Sequence, residues 1–565
     1  MVKTVGIGHQ DFAKVREENI FYVDKTGFIR EWWEAKDEVT LITRPRRFGK
    51  TLNMSMLEKF FSVEYAGREE LFHGLTIWED EKYRRLQGTY PVISLSFANI
   101  KEKSYGATVR RINQILTNLY SANRFLLQDG DLDDKEQRFF DSVDVDMDET
   151  TATMAIHQLS CYLTRYYRKK VIILLDEYDT PMQEAYVNGY WEELVSFTRG
   201  MFNAAFKTNP YLERAVMTGI TRVSKESVFS DLNNLKVITT TSEKYMDSFG
   251  FTEEEVFAAL DEYGWSEKKQ EVKRWYDGFT FGTQTDIYNP WSVINYISTG
   301  KLEPYWANTS SNSLAGKLIR EGSGNLKERF ESLLQGKGII AELDEQIVYD
   351  QLSEDESAIW SLLLASGYLK VKNLRSYMTE GEEWKQEYEL ELTNFEVGVM
   401  FRRMIKKWFS RAAEGYNDFI KALLLDDLKG MNQYMNKVAM ATFSYFDTGK
   451  NPSGEEPERF YHGFVLGLMV ELGERYVLTS NRESGFGRYD VMLEPRKPGD
   501  VGIIMEFKVQ DSWEEKELSD TVRAALKQIE EKKYKTALTE KGIPENKIRS
   551  YGFAFCGKRV LIGRG

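Results

Sequence analysis

Gly49-Lys50-Thr51 closes the stretch Arg44-Pro45-Arg46-Arg47-Phe48-Gly49-Lys50-Thr51, and these residue types at this spacing can hold phosphate. Backbone N–H groups and a helix N-terminus wrap phosphate oxygens, a lysine supplies a point charge, and a threonine hydroxyl reaches Mg2+. Gly49, Lys50 and Thr51 are the candidates for those roles. One position departs from the usual pattern, because the glycine expected six residues before the lysine is Arg44. Further along, Asp176-Glu177 follows the apolar run Val171-Ile172-Ile173-Leu174-Leu175. Asp176 would hold the Mg2+ shell and Glu177 would orient or activate an attacking water. Thr218 and Arg222 end a third apolar run, where a sensor of the terminal phosphate is expected. Arg222 would pair with phosphate, or with Asp176 or Asp179. Near the C-terminus, Asp490 is followed by Glu506 and Lys508. Two carboxylates are hard-oxygen ligands for Mg2+, and a lysine beside them can orient a water or neutralise an oxyanion.

These groups need elements to position them. Val39–Thr43 is β-rich and Leu52, Met56, Leu57, Phe60 and Phe61 follow at helical spacing, so the first group sits on a strand, a loop and a helix. A buried parallel strand reads as an unbroken apolar run, which fits Val171–Leu175. It delivers Asp176 and Glu177 at the sheet edge where the phosphate loop opens. Pro91–Phe97 and Arg214–Arg222 supply further strands. The Phe21–Thr26 turn precedes an amphipathic helix; it reads as packing and capping by Asp24 or Thr26, or as an edge over an adenine. Asp144, Asp146 and Asp148 lack the glycine and distal glutamate of a calcium loop and read as a solvated acidic loop. In the C-terminal part, a hairpin carries Asp490 and Glu506. Period-two geometry puts Glu506 and Lys508 on one face with Phe507 behind. A helix follows with Gln528, and Tyr534 lies further on. His462 reads as a packed or capping histidine.

Length allows roughly three domains at about 150 residues each. The net charge of −13 excludes a general nucleic-acid coat protein but leaves room for a local basic groove. Two cysteines, Cys161 and Cys556, and four histidines make neither a disulfide framework nor a structural zinc site. No apolar run approaches the roughly 18 residues of a membrane span, and no charged-then-apolar leader opens the chain. The expectation is a cytoplasmic protein away from the membrane.

The phosphate-loop stretch, together with Phe21–Thr26, Leu175–Pro181, Thr218–Arg222 and Phe229–Asn234, resembles the bacterial AAA-ATPase-like family. So do Trp275-Tyr276-Asp277-Gly278-Phe279 and Tyr288-Asn289-Pro290-Trp291-Ser292. In that family the arginine-rich loop is the normal form, so the resemblance implies an ATPase domain over about residues 1–300. The Asp490, Glu506, Lys508 and Gln528 set resembles the PD-(D/E)XK nuclease core, which accompanies the ATPase-like domain in these proteins; the resemblance implies that Gln528 buttresses the metal site and that Glu471 or Glu483 is the extra acid of that superfamily.

The fold class expected is α/β: a P-loop NTPase-like parallel sheet over 1–290, a mostly helical lid or connecting region over 291–454, and a C-terminal α/β restriction-endonuclease-like domain over 455–565. Gly49, Lys50, Thr51, Asp176, Thr218 and Arg222 would bind ATP, with Thr51 and Asp176 on Mg2+ and Glu177 catalytic. Asp490 and Glu506 would bind Mg2+, with Lys508 and Gln528 completing a nuclease site. The partner is nucleic acid, DNA ahead of RNA, and a homo-oligomer is open. ATP binding would gate access of nucleic acid. Arg44, Arg46 and Arg47 are further candidates for contacts with phosphate or nucleic acid. The competing reading is a nucleotide-regulated binding or scaffold protein with both sites degenerate.

Overall fold

The computed structural model describes the chain apart from residues 1–2, 129–131, 208, 223–228, 230–231, 308–314, 317, 320–323, 335, 344–351, 353–354, 379–383, 411–415, 443–468, 470–471, 473–474, 485–486, 498 and 512–514, and apart from the side chains of 324–325, 327–328, 331, 405–410, 416–417, 441–442, 480–484 and 487–489. Met1–Leu318 with Gln335–Gly398 form one compact unit, and Ile319–Leu334 with Val399–Gly565 form a second. The stretch expected as a connecting region is thus divided between the two units.

The first unit is built on five parallel strands, β1 (Val39–Thr43), β2 (Val92–Ser96), β3 (Val171–Asp176), β4 (Leu212–Gly219) and β5 (Leu235–Ile238), in the order β2-β3-β4-β1-β5. Every residue of β1 and β3 is buried, as a parallel sheet covered on both faces requires. β4 stands between β1 and β3, so the Asp176 strand and the phosphate-loop strand are not neighbours. Gly49 has φ +81, a conformation glycine adopts freely, and it turns the chain from the loop into the helix Lys50–Phe61. That helix buries Leu57, Phe60 and Phe61, each contributing about 2 kcal/mol. Asp148, in the acidic loop, caps the helix Glu149–Tyr167 by accepting from Thr151 N at 2.9 Å.

Two small sheets complete the first unit. β6 (Phe251–Thr252), β7 (Phe279–Phe281) and β8 (Gln284–Tyr288) run in the order β6-β8-β7. β9 (Ile339–Ala341), β10 (Leu369–Met378) and β11 (Trp384–Leu392) run in the order β10-β11-β9. β10 and β11 pair antiparallel, with Leu369 opposite Leu392 and Met378 opposite Trp384.

The second unit carries a five-stranded sheet in chain order: β12 (Tyr476–Ser484), β13 (Gly487–Pro495), β14 (Gly502–Val509), β15 (Ile548–Cys556) and β16 (Arg559–Arg564). Only β14 and β15 are parallel, and the helix Leu518–Glu531 lies in the connection between them. One face of the sheet packs Phe507, Phe553 and Phe555 against Phe419, Leu423, Met431 and Met435 of the helices Tyr416–Leu425 and Leu428–Thr442. The other packs Ile504 against Ile529, Tyr534 and Leu538. Among the described residues no helix is long and apolar enough to cross a membrane.

Candidate functional site

The C-terminal ends of β1, β3 and β4 bring the phosphate-loop residues together. Thr51 Oγ1 donates to Asp176 Oδ2 at 2.7 Å, and Thr218 Oγ1 donates to Asp176 Oδ1. The backbone N–H of Glu177 donates to Thr218 Oγ1 at 3.2 Å. Asp176 is 4% exposed, and burial raises its pKa against the hydroxyls that hold its charged form. Lys50 donates to the carbonyls of Arg44 and Pro45 at 2.9 and 3.0 Å. Its pKa is lowered by burial, which outweighs the neighbouring charges of Glu177, Asp176 and Asp179. A carboxylate flanked by two hydroxyls, within the field of a lysine, is a hard-oxygen donor set that fits Mg2+ beside phosphate. Glu177 has φ +52, an uncommon conformation for a non-glycine residue and the sort of strain that collects at functional sites. Its carboxylate accepts from Thr180 Oγ1 at 3.2 Å.

Sequence reasoning gave Tyr178 no task and Asp179 only that of a partner for Arg222. Asp179 Oδ2 accepts from Ile220 N, Thr221 N and Thr221 Oγ1, each at 2.9 Å, and Tyr178 OH donates to the Thr221 carbonyl at 2.8 Å. These bonds fasten the end of β4 to the turn after β3. A Cβ on Gly219 would come within 2.7 Å of the Tyr178 ring and 2.9 Å of Asp179, so the close approach requires glycine. Arg222, just beyond, pairs with neither Asp176 nor Asp179. It lines a shallow cleft with Thr43, Thr239, Thr240 and Ser361. The carboxylate it was expected to meet is already held by the Ile220 and Thr221 amides. Most of the loop that follows Arg222 lies outside the described residues.

Arg44 does not face phosphate. It is fully buried and donates to the carbonyls of Thr43 at 3.0 Å, Thr239 at 2.6 Å, and Lys244 and Tyr245 at 3.4 Å. Its guanidinium lies 4.4 Å from the Phe281 ring centroid. The expected contact of Arg44 with phosphate or nucleic acid is thereby corrected: the side chain is spent on backbone carbonyls inside the unit. Arg46 donates to Gln183 Oε1 at 3.2 Å, and the Arg47 guanidinium stacks 4.3 Å from the Trp291 ring. Phe48 packs on Phe279 at 4.7 Å. The loop is thus gripped from outside the large sheet by residues of the Trp275–Phe279 and Tyr288–Ser292 segments. The Phe21–Thr26 turn caps and ties: Asp24 accepts from Thr26 N at 2.9 Å and from Thr76 N at 2.7 Å.

Glu253, Asp277 and Asp286 bring carboxylate oxygens within 4.8 Å of one another. Lys273 serves as their cation, pairing with Glu253, with Asp286 at 3.0 Å and with Asp277 at 3.9 Å. Burial and the nearby Asp286 push the Asp277 carboxyl up to about 7.

In the second unit, β13 and β14 pair antiparallel through Val491 and Met505, which places Asp490 and Glu506 side by side. Asp490 Oδ2 accepts from Phe507 N at 2.8 Å. Gln528 Nε2 donates to Glu506 Oε1 and reaches the Tyr534 hydroxyl at 3.3 Å. Glu506 is 2% exposed, Phe507 is in the core behind it and Lys508 is half-buried. The helix bearing Gln528 comes close because Gly552, opposite Glu506 on β15, has no side chain; a Cβ there would meet Val522 O at 2.9 Å. Burial raises the Tyr534 pKa, and the charges of Glu506 and Asp490 add to it, so the phenol belongs to the same cluster. Two adjacent carboxylates, one held by a backbone amide and one by a glutamine, fit a hard divalent cation. Glu471, His462 and the side chain of Glu483 lie outside the described residues.

Residues 6–229 match the model of the AAA-ATPase-like family, described as a predicted AAA-ATPase. Residues 456–565 match that of the PD-(D/E)XK nuclease superfamily. Both resemblances read from the sequence are borne out. An uncharacterized protein in the vnfD 5' region of Azotobacter chroococcum mcd 1 is 28% identical over 324 residues, 56% of each chain. The chain therefore spans little more than half the length of that relative.

Proposed function

We propose that this chain binds ATP with Mg2+ at its first site, hydrolyses it, and cleaves nucleic-acid phosphodiesters at its second. The observation that carries the first part is the meeting of Lys50, Thr51 and Thr218 around Asp176. Lys50 would meet the terminal phosphates, Thr51 and Asp176 would hold the Mg2+, and Glu177 would orient the attacking water. Bound Mg2+ would neutralise charge developing on the phosphoryl oxygens. Thr218 fixes Asp176 and the Glu177 amide together.

At the second site Asp490 and Glu506 would hold a divalent cation, Gln528 keeps Glu506 in place, and Lys508 would orient a water or neutralise the oxyanion. The nucleic acid this reading names is DNA ahead of RNA, and the setting it names is the cytoplasm. ATP binding would regulate cutting.

The test incubates the full chain with linear, circular and single-stranded DNA and with RNA, with and without ATP and Mg2+. Lys50→Ala should abolish nucleotide binding and change cutting. Asp490→Ala and Lys508→Ala should each abolish Mg2+-dependent cutting while the chain stays folded. Unaltered cutting by both would sink the nuclease assignment, and ATP binding without turnover or cutting would favour a nucleotide-regulated scaffold.

A further inference from the structure

The carbonyl of Arg46, in the middle of the phosphate loop, accepts from the indole Nε1 of Trp306 at 2.9 Å and from Asn289 Nδ2 at 3.4 Å. Neither donor lies on the sheet. Across a trans peptide the C=O and the following N–H point in opposite directions. Holding the Arg46 carbonyl toward Trp306 and Asn289 therefore aims the Arg47 N–H to the other side of the loop, and that N–H has no hydrogen-bond partner among the described residues. Arg47 has φ +65 and Gly49 φ +81, left-handed positions of the kind that build anion-binding concavities from successive amides.

Both donors are fixed by one buried carboxylate. Glu396 is fully buried. Its Oε1 accepts from Trp306 N at 2.7 Å and Ala307 N at 3.2 Å, and its Oε2 accepts from Ser292 Oγ at 2.9 Å. Ser292 N in turn donates to Asn289 Oδ1 at 3.2 Å. The Trp306 ring packs on Phe279 at 5.6 Å, and Phe279 packs on Phe48 at 4.7 Å. The loop thus has polar and apolar braces from the same neighbours. A loop with Arg44 in place of its first glycine is held in shape partly by groups outside itself.

We infer that Trp306, Asn289 and Glu396 form a latch that orients the Arg46–Arg47 peptide so that its N–H faces a nucleotide phosphate. These are positioning residues, and the role rests on the nucleotide-binding reading above. It assigns a task to the Tyr288–Ser292 motif and ties its Ser292 to Trp306, 14 positions on, and to Glu396, 104 positions on.

The test uses the full chain and two readouts: hydrogen exchange of the 44–50 segment, and the Kd for Mg-ATP. Trp306→Phe keeps an aromatic ring and removes the N–H. It should speed exchange of 44–50 and raise the Kd, each about fivefold, the effect of one hydrogen bond. Exchange in β3 should not change, which separates a latch from general loosening. Glu396→Ala should reproduce the effect, while Glu396→Gln, which keeps an acceptor oxygen, should restore near-wild-type behaviour. Wild-type exchange and affinity in Trp306→Phe would overturn the latch alone. A wild-type chain that binds no nucleotide would overturn the phosphate reading and this role with it, even if the variant loosens the loop.

Discussion

The Arg44 guanidinium donates to the Thr239 carbonyl at 2.6 Å, so the residue replacing the loop's first glycine joins the end of β1 to the chain leaving β5. Burial pushes its pKa down to about 9, still above neutral, so a cation sits inside the unit among carbonyl oxygens and beside the Phe281 ring. Arg44→Gly restores the common pattern yet should destabilise the unit by about 3 kcal/mol, because buried carbonyls lose a charged donor. Arg44→Lys should not rescue it, since an ammonium lacks the planar fork. Urea unfolding checks both.

Glu396 makes stability depend on pH. Burial pushes its carboxyl up to about 7 from the usual 4.5, against the amides of Trp306 and Ala307 and the Ser292 hydroxyl that favour its charged form. Tyr276 is the titratable neighbour that feels its charge. Between pH 4.5 and 7 the folded chain keeps a proton that the unfolded chain has released. This group's contribution is therefore full below 4.5 and falls as pH rises to about 7, by about 3 kcal/mol in all. Glu396→Gln should flatten that part of the profile of unfolding free energy against pH. A variant with the wild-type slope would contradict the assignment.

The parts legible in the sequence were those that local pattern fixes. Val39–Thr51 and Val171–Glu177 each state a strand and its chemistry within one short stretch, and strand periodicity puts Glu506 and Lys508 on one face, whereas Gln528 followed from the resemblance to the nuclease core. The strand order was not legible, because nothing in β4 says that it lies between β1 and β3. β5 was missed: four residues, only one of them buried, carry little hydrophobic signal. Arg222 sits at the end of an obvious strand, but its neighbours come from β1, the chain leaving β5 and the Glu356–Ala365 helix. Trp306 and Glu396 carry no motif, and the bonds of Trp306 to Arg46 and of Glu396 to Trp306 are a product of tertiary packing alone.

The edge of the second unit's sheet is closed by two asparagines. Asn432 exchanges hydrogen bonds with Ile562 at 2.8 and 2.9 Å, and Asn436 does the same with Val560 at 2.7 and 3.0 Å. One turn of the Leu428–Thr442 helix thereby satisfies the outward backbone groups of Val560 and Ile562 on β16, which would otherwise lie on a free edge. Asn432→Leu with Asn436→Leu should leave four backbone groups unpaired, cost about 3 kcal/mol and promote self-association. A fragment beginning at residue 456 loses this helix and the Phe419, Leu423, Met431 and Met435 side of the core. Size-exclusion chromatography should find it aggregated.

Gln528 is the residue at the second site whose role is separable from chemistry. It bears no charge and is proposed to touch neither metal nor substrate, but it holds Glu506 Oε1 from the helix Leu518–Glu531. Outer groups of this kind fix the orientation of a ligating carboxylate, and their loss typically weakens metal binding about 10- to 100-fold. Gln528→Ala should therefore weaken Mn2+ or Mg2+ binding by that factor, read by calorimetry without any nucleic acid. Gln528→Glu should weaken it further in the neutral range, because a second carboxylate would face Glu506 where an amide N–H now donates. Cutting should fall in the same order at low metal and recover at high metal for Gln528→Ala. Failure to recover would move Gln528 from positioning Glu506 to the reaction itself.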